Sequence, residues 1–101
     1  MSRTMVEKLA PAAISEALKG LEGWAGDEGG IRKTFEFKNF SRAWAFMSRV
    51  ALLAEKMDHH PEWLNVYNTV DVTLRTHTAQ GVTPLDLEMA QKMNVYYSAG
   101  A

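Results

Sequence analysis

Residues 55–86 read EKMDHHPEWLNVYNTVDVTLRTHTAQGVTPLD, and along them the chain passes from a helix end through two short strands to the start of another helix. Pro61 pushes the residue before it out of the helical region, so the preceding helix has to stop at His59 or earlier, which leaves His59 on its last turn and His60 extended. Trp63 to Tyr67 is an apolar and aromatic run of strand length, and Asn68 is a turn residue. From Thr69 to His77 the chain alternates, with Val70, Val72 and Leu74 on one side and Asp71, Thr73, Arg75 and His77 on the other. Thr83-Pro84-Leu85-Asp86 then combines an N-cap threonine, a proline in the first helical position and an acidic residue in the third. These three signals predict a helix from Pro84 to about Tyr97, with Leu85, Met89, Met93 and Tyr96 inward and a fraying tail at Ser98 to Ala101.

Upstream, Asn39 is placed to cap the longest periodic stretch, in which Phe40, Ala43, Trp44, Met47, Val50, Ala51, Ala54 and Met57 trace a wide apolar face. Before it, Ile31 to Lys38 alternates as a half-buried strand with Ile31, Phe35 and Phe37 inward, and Lys33 is the one inward position that does not fit. Gly26-Asp27-Glu28-Gly29-Gly30 is a turn cluster, which implies a loop or hairpin between Trp24 and Ile31. From Val6 to Leu21 the residues Leu9, Ala13, Ile14, Ala17, Leu18 and Leu21 form a helical stripe, with Pro11 in its first turn and Gly20 and Gly23 at its end. The order helix, strand pair, helix, strand pair, helix predicts an α+β fold: one antiparallel sheet with helices packed on one face.

The totals bound what such a fold can be. A chain of 101 residues is expected to form one domain over residues 1–101. It has no cysteine, which excludes disulfides, thiolate metal sites and thiol catalysis. Eleven Lys and Arg against twelve Asp and Glu leave a net charge of −1, which argues against polyanion or nucleic-acid binding. No apolar run reaches transmembrane or signal-peptide length, so a cytoplasmic protein without a membrane partner is expected.

All three histidines lie in the opening stretch, at 59, 60 and 77. Glu55 stands four residues before His59, where one helix face brings a carboxylate to an imidazole, and a helix C-terminus favours a cation. That suits a histidine which donates a proton to a departing hydroxyl. His60, redirected by Pro61, can line a second wall of the same pocket, and His77 brings a third nitrogen from another element. Three histidines can also bind zinc, but no helical metal spacing is present, so proton transfer is preferred and no metal is expected. Other roles are structural: Glu55 can equally be a solvated helix charge, Asp86 is accounted for by capping, Met47, Met57, Met89 and Met93 are core, and Trp63 and Tyr67 are core or interface. Trp24, beside the glycine-rich turn, can stack on a flat heterocycle.

Glu55, His59, His60, Pro61, Tyr67, His77 and Asp86 stand at the spacings of a known signature, and the chain resembles the pterin-4a-carbinolamine dehydratase family. The likeness extends through Gly23-Trp24, Phe35, Phe46-Met47, Arg49-Val50-Ala51, Asn65, Asn68, Val70 and Thr76, over about four-fifths of the chain. The resemblance implies a four-stranded antiparallel sheet with three helices on one face. It also implies a hydro-lyase that turns 4a-hydroxytetrahydropterin into quinonoid dihydropterin and water, in the tetrahydrobiopterin recycling that serves phenylalanine hydroxylation. The family's three site histidines fall on His59, His60 and His77, and Glu55, Pro61 and Trp24 are expected around the pterin. No redox cofactor is expected, and a homodimer or homotetramer is implied. The alternative that the resemblance leaves is a non-catalytic interaction or transcriptional-coactivator module on the same fold.

Overall fold

The computed structural model describes residues 7–100. Its elements run α1 (Pro11–Leu18), β1 (Ala25–Asp27), β2 (Gly30–Glu36), α2 (Phe40–Met57), β3 (Glu62–Val66), β4 (Thr69–Leu74) and α3 (Pro84–Ser98), with a short 3₁₀ turn at His77–Ala79. The strands form one antiparallel sheet in the order β1-β2-β4-β3, so the expected α+β architecture and element order are present.

Alternation decides which face is covered. Ile31 pairs with Leu74 and Phe35 with Val70, and all four are buried, whereas Arg32, Thr34, Glu36 and Asp71 on the other face are exposed. Phe35, at full burial, sits among the rings of Trp24, Phe46 and Tyr97 at centroid separations of 5.9, 4.8 and 5.2 Å. Each fully buried side chain of this size stabilises the fold by ~1.5–3 kcal/mol over its exposed state. Lys33 keeps its inward position because its ammonium leaves the core at the rim, donating to the Glu22 carbonyl and the Asn94 side chain, both at 2.9 Å. Partial burial there lowers its pKa from 10.5, and Glu22 pulls weakly the other way.

Several boundaries differ from the sequence reading. The first helix begins at Pro11 and stops at Leu18, and the expected start at Val6 lies outside the described residues. The segment between Trp24 and Ile31 is a hairpin, and β2 ends at Glu36, before Lys38. The last strand ends at Leu74, so His77 belongs to the 3₁₀ turn. α2 starts where Asn39 predicts, the asparagine side chain accepting the Arg42 amide at 2.9 Å, but it is rotated from the expected face. Phe46 and Leu53 are in the core, while Phe40 is 49% and Trp44 56% exposed.

Candidate active site

The helix end that carries the first two histidines is a Schellman motif. Asp58 adopts the left-handed conformation with φ 53°, its amide donates to the Glu55 carbonyl at 3.2 Å, and the His59 amide donates to the Ala54 carbonyl at 3.0 Å. Aspartate is one of the few residues other than glycine that tolerates this geometry. The reversal takes His59 off the helix, contrary to the expected last-turn position, and separates it from the face on which Glu55 lies. Glu55 pairs instead with His60, at 3.7 Å between two exposed side chains.

His59, 6% exposed, is held by Asp86, which is fully buried: His59 Nε2 lies 2.6 Å from Asp86 Oδ1. The other carboxylate oxygen accepts the Thr83 amide at 2.9 Å and the Thr76 hydroxyl at 2.8 Å. With the Thr76 hydrogen used there, the 2.7 Å contact between the two threonine hydroxyls is a donation from Thr83 to Thr76, and Thr83 Oγ1 accepts the Leu85 amide at 3.2 Å. A carboxylate receiving these donors is an acceptor towards His59 as well, so Nε2 donates to Asp86 and Nδ1 is the ring nitrogen left to exchange a proton with a bound molecule. Asp86 does close the capping box of α3, as its spacing predicts. The same carboxylate also orients a histidine 27 positions earlier in the chain, which the sequence reading missed by giving it a capping role only.

His77 lies at the start of the 3₁₀ turn, between Thr76 and the segment that returns to pair with it: Thr76 and Gly81 form an isolated antiparallel bridge. Its Nε2 is 3.0 Å from Glu62 Oε2. That oxygen also accepts Arg75 Nε at 3.0 Å, and Arg75 Nη2 donates to Oε1 at 3.1 Å. The Arg75 hydrogen bond holds the Glu62 carboxyl below its ordinary 4.5. Desolvation opposes this, and the Arg75 and His77 charges add to the lowering.

The three histidines meet at one cavity of about 350 Å³, lined by Asp58, His59, His60, Pro61, Glu62, Arg75, Thr76, His77 and Thr78. This is at the small end of the ~300–1,000 Å³ range of small-molecule sites. Each histidine has its own carboxylate, in a buried pair at His59 and in exposed pairs at His60 and His77. Such pairs can hold a proton at a defined ring nitrogen and pass it to a bound molecule. Among the described residues no cluster of three His, Cys, Asp or Glu is placed to hold a metal ion.

Pro61 lines the cavity, and Glu55 stands at its margin through His60. Trp24 does not reach it. Its indole is 5% exposed, packs edge-on against Phe35 and donates Nε1–H to Asn94 at 3.0 Å, so it has no open face on which a heterocycle could stack. Glu62, Arg75 and Thr76 were not singled out from sequence. The β3–β4 register, which pairs Glu62 with Thr73, is the signal that brings them to the histidines.

The sequence model of the family described as pterin 4 alpha carbinolamine dehydratase matches residues 7–96. A Mesorhizobium japonicum protein provisionally named as that enzyme is 60% identical over 93 residues, covering 90% of this chain and 95% of its own. A similarly named Brucella ovis protein is 54% identical over 89 residues, covering 86% and 92%. Among solved structures, a transcriptional coactivator/pterin dehydratase from Brucella melitensis has a TM-score of 0.88 at 50% identity, over 90% of this chain and 99% of that one. A pterin dehydratase-like RuBisCO assembly factor of the alpha-carboxysome has a TM-score of 0.61 at 21% identity, over 73% and 86%, and shares the fold.

Proposed function

The chain belongs to the pterin 4 alpha carbinolamine dehydratase family, and from that premise we propose that it dehydrates a 4a-hydroxytetrahydropterin to the quinonoid dihydropterin. One observation carries the reading: His59, His60 and His77, from two separate segments, line a single cavity. The C4a–O bond breaks and the leaving oxygen takes a proton. The electrons of the N5–H bond form the C4a=N5 double bond, and the N5 proton goes to a base. An acid and a base lining one small cavity supply both transfers, worth ~10²–10⁴-fold each.

His59 and His77 act at the departing hydroxyl, and His60 orients the pterin and assists at its nitrogen side. Pro61 and Glu55 shape the entrance. In this reading the chain is a cytoplasmic lyase and a homodimer or homotetramer, serving tetrahydrobiopterin recycling behind an aromatic amino acid hydroxylase. A second reading, an interaction module without catalysis, has in its favour the exposed aromatic pair Phe40 and Trp44, whose rings lie 6.1 Å apart.

Stopped-flow measurement of freshly generated 4a-carbinolamine separates the two. Acceleration that collapses in His59→Ala and His77→Ala is expected, and decay no faster than in buffer would leave the interaction module.

A further inference from the structure

We propose that Glu62, clamped by Arg75, is a positioning residue for His77: it fixes the imidazole ring and keeps its proton on Nε2. This rests on the dehydratase reading of the cavity and extends it to a pair of residues outside the histidine set.

The argument begins with the sheet. Because Glu62 pairs with Thr73 across the β3–β4 ladder, Arg75, two residues further on, is a diagonal neighbour on the same face. The guanidinium meets the carboxylate as a fork, with bonds of 3.0 and 3.1 Å to its two oxygens. A single exposed carboxylate–imidazole pair is weak, since two free side chains lose entropy to meet and salt screens them. Here the fork fixes the carboxylate plane before His77 arrives, which is the use to which arginine rather than lysine is suited. The His77 backbone is restrained as well, by the Thr76–Gly81 bridge beside it.

The proton count then follows. Arg75 keeps Glu62 ionised below the usual carboxylate range. A carboxylate with no proton can only accept, so the 3.0 Å contact makes His77 Nε2 the donor and leaves Nδ1 as the nitrogen that exchanges a proton with a ligand. His59 is set the same way by Asp86. Two histidines that line the cavity thus have the same ring nitrogen committed to a carboxylate, one pair buried and one open.

The test uses the full chain, with its histidine rings labelled for NMR, as wild type and as Glu62→Gln, Arg75→Gln and His77→Gln. In wild type the His77 ring is expected to be ordered, with a detectable Nε2–H proton at low temperature. In Glu62→Gln that proton is expected to exchange about tenfold faster and the ring order to fall, with His59 unchanged. With carbinolamine as substrate, Glu62→Gln is expected to lower kcat about tenfold with little change in KM, a part of the ~10²–10⁴-fold that a positioned proton-transfer group supplies. Adding it to His77→Gln should cost nothing further, because both act through one ring. An unchanged His77 ring signal, or additive losses in the double variant, overturns the proposal. A wild type that does not accelerate dehydration overturns the proposed reaction instead, and the ring measurement still decides the role of Glu62.

Discussion

Asp86 satisfies a helix start and orients a histidine with the same two oxygens, so its removal is expected to show in two measurements. Asp86→Ala leaves the His59 ring, the Thr76 hydroxyl and the Thr83 amide without their acceptor. Each buried donor so orphaned costs ~1–3 kcal/mol. A fall in urea-denaturation stability of several kcal/mol is expected, together with loss of carbinolamine dehydration. Asp86→Asn keeps the volume and is expected to retain more stability than activity, because an amide cannot accept from all three donors. Glu62 makes a prediction in pH. Its folded value lies below 4.5, so its contribution to stability is present above the unfolded value and is lost as pH falls through the lower folded one. The stability difference between wild type and Glu62→Gln is therefore expected to be largest at neutral pH and to shrink on acidification, once the pH falls below the unfolded carboxylate value and through the lower folded one. A difference that grows on acidification would contradict the sign.

At the scale of elements, α2 holds two adjacent leucines with opposite fates. Leu53 is 8% exposed and Leu52 75%. Leu53→Ala is expected to cost ~2–5 kcal/mol and Leu52→Ala less than about 0.5 kcal/mol, read by thermal or urea unfolding. Periodicity could not assign them, because this helix is apolar on more than one side. Counting spacings gave Phe40 and Trp44 to the core, when the sheet selects Phe46 and Leu53. The start of α3 was legible, since Thr83, Pro84 and Asp86 act locally and their chemistry needs no tertiary context. The end of α2 was half legible. Pro61 limited it, but the left-handed Asp58 lacks the glycine that usually marks such a stop, so His59 was left on the helix and matched to Glu55. The actual carboxylate partners of His59 and His77 lie 27 and 15 positions away in the chain, and only strand register and helix placement bring them there.

For the molecule as a whole, the sheet order and the element order follow from alternation and turn chemistry, and the histidines gather because the start of β3 and the end of β4 lie at the same end of their antiparallel ladder. The proposed homo-oligomer needs apolar surface to bury, and the test of the exposed Phe40–Trp44 pair on α2 as that surface is direct. Trp44→Glu is expected to lower the mass measured by light scattering while circular dichroism stays unchanged. An unaltered mass would place the contact elsewhere. No helix among the described residues is long and apolar enough to cross a membrane.

The shared carboxylate at Asp86 also gives the site a clock. The Thr83 amide is bonded to the oxygen beside the one that holds His59, so an opening of the first turn of α3 that displaces Asp86 releases the amide and the imidazole together. Deuterium uptake at that one amide counts such openings in the resting protein, and a pterin analogue that needs an anchored His59 is expected to slow it in proportion to occupancy.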